Sequence, residues 1–475
     1  MKLTLRNLGR LREATIDLDK DLILLTGPNN TSKTYVAHAL YGFGEEFHSH
    51  VLGAVARTLD ELLPEAKESE TVFRLDVVGL VDQYLQRILE EISRSFRGSL
   101  ADILACSEEF VARAEARMDL DEAQLALARG DLLAMEDRQE WEDFGGLVRK
   151  VAGEPVWTFE RIPTPASMGV SGSSGPPPRV DLPLRSFAYW HIATVLSDSL
   201  LGMPWYTYVL TAERAAIQLF SRELASKRTE LVDDLMQLRS SSRHRAGSRD
   251  ALWETLGHRA RRYPLAIRDS LFIANDPAKY KARNSSFAAL ADQLEGKVLG
   301  GAIRIDKDGE MSFHPNESDA RLSLHLSSSS VKALAGLSFF LRHIAEKNQF
   351  LIIDEPELNL HPDNQRRVAR VLARLVRSGI KVLISTHSDY IIRELNNLIM
   401  LGADKDGSVR QRLGYDEAET LSPAQVGAYL FDAEKANPIP VTPTGIEVAT
   451  IEREINALNT VSQDIYFTLF GGTGG

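Results

Sequence analysis

Two adjacent carboxylates, Asp354 and Glu355, close the apolar run Phe350-Leu-Ile-Ile353, and Pro356 stops the strand behind them. One acid at the carboxyl end of a parallel strand can hold a hydrated divalent cation. A second acid beside it can orient a water and take its proton. Together they suit hydrolysis of a nucleoside triphosphate, and that chemistry needs a phosphate-binding loop elsewhere in the chain.

Near the start, Leu22-Ile-Leu-Leu25 reads as a short buried strand, Gly27-Pro-Asn29-Asn30-Thr31-Ser32-Lys33-Thr34 follows, and residues 35–41 run on as a helix. Strand, loop and helix are the context of a P-loop. Backbone N–H groups of Gly27, Asn29, Asn30, Thr31 and Ser32 would wrap the phosphates, helped by the positive end of the helix dipole. Lys33 would reach the β- and γ-phosphates, and the Thr34 hydroxyl, with Asp354, would ligate Mg²⁺. The loop departs from G-x-x-x-x-G-K-[ST] at one place, where Ser32 stands for the second glycine. A side chain there strains a tight bend by about 1 kcal/mol, enough to slow hydrolysis more than binding. The bland reading, an ordinary helix-capping turn, leaves the matching acidic strand downstream unexplained.

After Pro362 an amphipathic helix spans 364–377, and a second apolar strand, Lys381-Val-Leu-Ile-Ser385, ends in Thr386-His387-Ser388. Strand, helix, strand is a βαβ unit, which sets Glu355 and His387 at one edge of a parallel sheet. His387 there can touch the γ-phosphate and the attacking water, although a lone histidine is more often a packed or solvated residue. Upstream, Ser327-Ser328-Ser329-Ser330 opens a helix expected over 333–347. Such a cluster is commonly an N-cap. Directly before the acidic strand it also reads as a patch for the γ-phosphate of an ATP held by another subunit.

These residues resemble the ABC/SMC-type branch of P-loop ATPases, and within it the stand-alone prokaryotic ATPases of the RecF-, OLD- and Septu-like kind. The likeness rests on the opening hairpin with G-P-N-N after it, on Asp354 to Pro362 as D-E-P-E-x-x-L-H-P, on the serine-rich helix start and on S-T-H-S at 385–388. Thr211-Ala-Glu213-Arg214 resembles an A-E-R element of the same ATPases. The resemblance covers roughly the first fifty residues and 265–401. It implies an α/β ABC/SMC-type head with an antiparallel β lobe and a large helical insertion. It also implies that two heads sandwich two ATPs in a homo-oligomer, each using the partner's Ser327, Ser328 and Ser329, with Glu355 as general base. Relatives of this size resemble the ATPase subunits of Septu- or PARIS-like anti-phage systems, where a separately encoded nuclease is the effector.

The rest of the chain sets bounds. At 475 residues it can build a large core and more than one domain. A net charge of −11 argues against a broadly basic nucleic-acid surface and leaves room for a local patch. A single cysteine, Cys106, excludes an internal disulfide and fits a reducing cytosol. No leader-like start and no apolar run near the roughly 20 residues of a membrane span are present, so a cytoplasmic protein without membrane contact is expected.

The expected organisation is a discontinuous head (1–50 plus 265–401), a helical insertion (51–264) and a C-terminal segment (402–475) for packing or partner binding. Within the insertion, apolar spacing at Leu59, Leu62, Leu63, Leu85, Ile88 and Leu89 suggests a compact helical arm across 45–151. Residues 154–185, rich in proline and glycine near 160–183, read as a long loop, and helices resume over 186–237. A basic stretch follows from Arg239 through Arg243, Arg245 and Arg249 to Arg262. It is either a solvated face or a contact for DNA phosphates or an acidic partner. Ile303–Ile305 and Met311–Phe313 around Asp308-Gly309 read as a β-hairpin, with Leu322–Leu326 as a further strand. Asp404-Lys-Asp406-Gly407 reads as a turn, not a metal site.

Three functions fit this reading. The first is an Mg-dependent ATPase whose assembly regulates an effector nuclease in anti-phage defence. The second is an SMC- or RecF-like DNA-repair or recombination ATPase. The third is a slow-turnover ATP-gated scaffold, suggested by Ser32.

Overall fold

The computed structural model describes residues 1–62, 72–134, 136–141, 146–161, 184–197, 206–220, 262–280, 285–307, 309–432, 434–447 and 449–470. Its centre is a mixed sheet whose core strands are short apolar runs. These are β3 (Leu22–Thr26), β13 (Phe350–Asp354) and β14 (Lys381–Thr386), buried over nearly every residue. Runs without alternation belong in a parallel sheet covered on both faces. β3, β14 and β13 are indeed parallel neighbours, with β9 (Thr207–Leu210) parallel beyond β13 and β15 (Val426–Phe431) parallel beyond β3. The sheet continues through β16 (Lys435–Ile439), β2 (Leu11–Asp17) and β1 (Lys2–Leu8) to β5 (Glu115–Asp119). β1 and β2 form the expected antiparallel hairpin.

Successive side chains of a strand point to opposite faces, and the two cores follow that alternation. Ile23, Leu25, Ile352 and Leu383 pack on one side, with helices α1 (Lys33–Leu62) and α2 (Val77–Leu104). Leu22, Leu24, Leu351, Ile353, Val382 and Ile384 pack on the other, against helices spanning Pro362–Arg377 and Asp389–Leu401. The result is a three-layer α/β head, with the central sheet covered by helices on both faces. A short helix α3 (Glu108–Val111) lies between α2 and β5.

A smaller antiparallel lobe, β10 (Gly301–Ile305), β11 (Met311–Pro315) and β12 (Leu322–Ser323), contains the expected hairpin, while the strand expected over 322–326 is only two residues long and gives way to a 3-10 turn at Leu324–Leu326. Its Ile303, Met311 and Phe313 pack against Val331, Ala335 and Phe339 of helix α4 (Ser329–Phe339). Helices further along the chain include α5 (Pro362–Arg377), α6 (Asp389–Leu401) and, near the C-terminus, α7 (Ala449–Phe470).

Several expectations differ from what is observed. The stretch 45–151 is not wholly helical: it holds β5, β4 (Val72–Asp76), β6 (Asp137–Trp141) and β7 (Gly146–Lys150). The long loop over 154–185 opens as a strand, β8 (Val156–Arg161), and β4, β8, β7 and β6 form an antiparallel sheet. Residues 186–237 contain β9, which joins the central sheet beside the acidic strand. The segment after 401 likewise supplies β15 and β16 to that sheet, and α1 runs through the expected boundary at 50/51. β4, β5, β9 and β15 each have a pairing partner remote in sequence (Val426 opposite Leu22, for instance), so local periodicity carries no sign of it, whereas β6, β7 and β8 pair with their neighbours along the chain. The basic stretch lies outside the described residues except for Arg262, which is exposed. Among the described residues no helix is long and apolar enough to cross a membrane.

Candidate functional site

The loop from Gly27 to Thr34 turns from the end of β3 into α1 at the carboxyl edge of the parallel strands, where ligands of open α/β sheets bind. Gly27 has φ +135°, and a Cβ there would stand 2.2 Å from the Phe431 carbonyl oxygen, so only glycine fits beside the end of β15. Asn30 (φ 60°) and Ser32 (φ 71°) are both left-handed. Asparagine tolerates that conformation, whereas Ser32 occupies it without glycine's freedom. The sequence argument for a glycine at 32 therefore has a conformational basis.

Lys33 is almost wholly buried. Its Nζ donates to the carbonyl oxygens of Gly27 (3.1 Å) and Pro28 (2.7 Å) and to Thr31 Oγ1 (3.3 Å). Burial pulls its pKa down to about 8 against the opposing pull of Asp354, Glu355 and Glu357. The next residue reaches the acidic strand: Thr34 Oγ1 donates to Asp354 Oδ2 at 2.9 Å. The other oxygen of Asp354 accepts from the Ser385 hydroxyl at the end of β14.

Glu355 lies one residue past β13 at φ 51°, a rare conformation for a side chain of its size. Its N–H donates to Ser385 O at 3.0 Å, which registers it on β14. Burial, followed by the charges of Asp354 and Glu357, raises its pKa. His387 Nε2 lies 3.9 Å from Glu355 Oε1. Burial, and then Lys33, lower the histidine's pKa, so at neutral pH the imidazole is neutral and this contact is not an ion pair. Glu357 accepts from the His387 backbone N–H at 2.7 Å and thereby fixes the turn after β14.

One buried side chain holds the acidic turn from behind. Arg214 NH1 donates to Asp354 O and NH2 to Glu355 O, each at 2.7 Å, while Nε donates to Ala333 O of α4 at 2.9 Å. The A-E-R element drew notice in the sequence without a role, and its arginine proves to be the brace of the left-handed Glu355. Ser385 and Glu357 are further site residues that motif reading left unassigned. Both lie inside motifs already noticed, so their position was the available signal.

A cleft of about 980 Å³ collects Asn29, Asn30, Thr31, Ser32, Lys33, Thr34, Asp354, Glu355 and His387. Its far end is formed by Gly9, Arg10, Tyr35 and Phe110. The rings of Tyr35 and Phe110 meet edge to face at 5.7 Å, and a Cβ on Gly9 would press on both at 3.2–3.3 Å. Neither aromatic was anticipated, because Phe110 comes from an insertion helix far from the loop in sequence. Ser327, Ser328 and Ser329 do not line this cleft. Ser328 caps α4, its Oγ accepting from Val331 N at 3.3 Å, and Ser327 donates to Ser323 O at 3.2 Å. Ser328 and Ser329 are exposed at the helix start.

The donor set near Asp354 is a hydroxyl and a carboxylate, both hard oxygens already within hydrogen-bond distance of each other. A Mg²⁺ ion that keeps several waters and takes its remaining oxygens from a phosphate fits such a pair. Among the described residues no group of three or more His, Cys, Asp and Glu side chains offers an alternative, all-protein metal site.

The AAA ATPase domain family matches residues 258–392. The chain is 35% identical over 78 residues to the Old nuclease of Escherichia phage P2, covering 16% of this chain and 13% of that protein. It is 33% identical over 82 residues to UvrABC system protein A of Halalkalibacterium halodurans, covering 17% of this chain and 9% of that protein. It is 34% identical over 105 residues to the energy-coupling factor transporter ATP-binding protein EcfA of Methanothermobacter thermautotrophicus, covering 22% and 29%. The chain thus spans less than a third of the length of each of these relatives. An Smc head bound to the C-terminal winged-helix domain of ScpA superposes with a TM-score of 0.34 at 11% identity, over 92% of this chain and 96% of that one.

Proposed function

We propose that this chain, whose residues 258–392 match the AAA ATPase domain family, is an ATP hydrolase of the ABC/SMC kind whose ATP-bound heads pair and control a separate effector. The observation that carries the reading is the convergence of Lys33, Thr34, Asp354, Glu355 and His387 in one cleft, although they come from three distant segments.

In this reading the triphosphate lies along the Asn29–Lys33 backbone, at the N-terminus of α1, and the base lies toward Tyr35 and Phe110. Lys33 leaves the loop carbonyls for the β- and γ-oxygens. Thr34 and Asp354 would hold Mg²⁺, which supplies charge neutralisation at the phosphates. Glu355 takes the proton of the attacking water, and its raised pKa makes it a stronger base than an ordinary carboxylate. Neutral His387 orients that water or the γ-phosphate by hydrogen bonding. Ser328 and Ser329, exposed at the start of α4 and not lining their own cleft, would serve the γ-phosphate of a second subunit. That arrangement supports a homo-oligomer of sandwiched heads.

Glu355→Gln should keep ATP binding and accumulate an ATP-bound dimer, read by light scattering with and without ATP. Hydrolysis at the wild-type rate would remove Glu355 from the role of base. We further propose that the client is a separately encoded effector nuclease in prokaryotic anti-phage defence, acting in the cytoplasm. Purified alone, the chain should then show no DNA-stimulated hydrolysis. Stimulation by duplex DNA, lost when Arg243, Arg245 and Arg249 are neutralised, would instead establish the DNA-repair reading.

A further inference from the structure

The cleft that gathers the phosphate loop and the acidic turn has a far end with different chemistry. Gly9, Arg10, Tyr35 and Phe110 form it, and they come from three separate elements. Gly9 and Arg10 are the two-residue turn between β1 and β2, closed by the pairing of Leu8 with Leu11. Tyr35 follows Thr34 in the first turn of α1. Phe110 belongs to α3, where the Ser107 hydroxyl accepts from its backbone N–H at 3.4 Å. Tyr35 is 42% and Phe110 39% exposed, so each ring has free surface. Their planes cross at 71°, one ring setting its edge against the face of the other, and together they make a corner. A flat heterocycle fits such a corner by stacking on one ring with its own edge toward the second.

The polar side chains at this end are few. Arg10 is exposed and forms no ion pair among the described residues. Its guanidinium can only donate. Tyr35 adds a hydroxyl, and the four residues include no carboxylate and no side-chain amide. Adenine and guanine share the N7 acceptor and differ beside it, where adenine carries an amino donor and guanine a carbonyl acceptor. A donor-only side chain serves N7 of either purine and the guanine carbonyl as well. Selecting adenine takes an acceptor next to a donor, as an asparagine or glutamine amide provides. Resting on the reading of this cleft as a nucleotide site, we propose that its far end binds purines by stacking on Tyr35 and Phe110, with Arg10 on the base edge, so that GTP is accepted as readily as ATP. Lys33, Thr34, Asp354 and Glu355 act on the triphosphate, which is the same in both nucleotides, so GTP is a second substrate of the same machinery.

The test is titration calorimetry on the full-length chain with Mg²⁺, using the β,γ-imido analogues of ATP, GTP and UTP, which do not turn over, and tripolyphosphate as the base-free probe. The GTP analogue should bind with a Kd no more than about threefold above that of the ATP analogue. The UTP analogue, with a smaller ring to stack, should bind more weakly than either, and tripolyphosphate more weakly again. Phe110→Ala should weaken both purine analogues about tenfold and leave tripolyphosphate unchanged. Arg10→Gln supplies the donor and acceptor that match adenine, and should shift the ratio of the two purine affinities about tenfold toward ATP. A stronger preference for ATP in the wild-type chain overturns the proposal, as does a ratio that Arg10→Gln leaves unmoved. If Phe110→Ala weakens tripolyphosphate as much as the purine analogues, the rings only shape the fold and stacking is overturned. Failure of all four ligands to bind would remove the nucleotide-site reading itself, and this proposal with it.

Discussion

Lys33 gives the site a pH dependence with a calculable size. Burial holds its pKa near 8, so the ammonium is charged below that value and lost as pH rises through it. A triphosphate requires the charged form. If only the charged form binds, the apparent Kd is scaled by 1 + 10^(pH − 8). Between pH 7 and pH 9 that factor grows about tenfold, or about 1.4 kcal/mol of binding free energy. Binding at pH 9 should therefore take up nearly one proton. Titration calorimetry in two buffers of different ionisation enthalpy measures both the Kd and the proton count. Lys33→Arg keeps its charge throughout this range and should flatten the profile, even if it binds more weakly. Stability must move the opposite way. The lysine's folded pKa lies below its unfolded value of 10.5, so between about pH 8 and 10.5 the unfolded chain binds more protons. The lysine's contribution to stability then rises with pH, by at most about 1.4 kcal/mol per unit. A Kd that is constant from pH 7 to 9 in the wild-type chain would refute the reasoning, as would an equal slope in the arginine variant.

Two further substitutions probe the backbone around the site. Ser32→Gly removes a side chain from φ 71° and should raise the single-turnover rate about fivefold, the equivalent of roughly 1 kcal/mol, while changing thermal stability little because glycine's unfolded-state entropy offsets the relief. An unchanged rate would show that Ser32 does not limit turnover. Arg214→Lys keeps the charge but cannot reach the carbonyls of Asp354, Glu355 and Ala333 at once. It should lower stability by about 2–4 kcal/mol and hydrolysis more than tenfold, with ATP affinity nearly unchanged. A parallel loss of ATP affinity would place Arg214 in binding.

The legible part of this chain is the part whose structure is local or fully buried. β3, β13 and β14 announce themselves as unbroken apolar runs because both faces of a central parallel strand are covered. The loop and the acidic turn are legible because phosphate chemistry restricts residue type. The edge strands are not. β5 reads Glu-Ala-Arg-Met-Asp and β6 reads Asp-Arg-Gln-Glu-Trp, charged sequences tolerated at a sheet margin and indistinguishable from a solvated helix by composition. β15 is apolar enough to be a strand, but its partner β3 lies about four hundred residues earlier. The aromatic end of the cleft was hidden for the same reason, since Tyr35 and Phe110 meet only after α2 folds back on α1.

Arg214 shows why such distant pieces matter to a switch. Its guanidinium bonds the carbonyls of both acidic residues and a carbonyl of α4, the helix whose N-terminus carries Ser328 and Ser329. A movement of α4, as when its serines engage a second subunit's nucleotide, must stretch or shift those bonds. The left-handed turn at Glu355 is an unfavourable backbone for its side chain, and it is bonded directly to the brace, so a displacement of Arg214 is felt there. In the proposed dimer, pairing of heads and placement of the base would then be one event, because a single buried cation serves both. Two well-separated sites would give additive effects. Here Arg214→Lys and Ser328→Ala, combined, should lower hydrolysis less than the product of their separate effects, since each removes the same link. A strictly multiplicative double variant would mean that the serine helix and the acidic turn act independently.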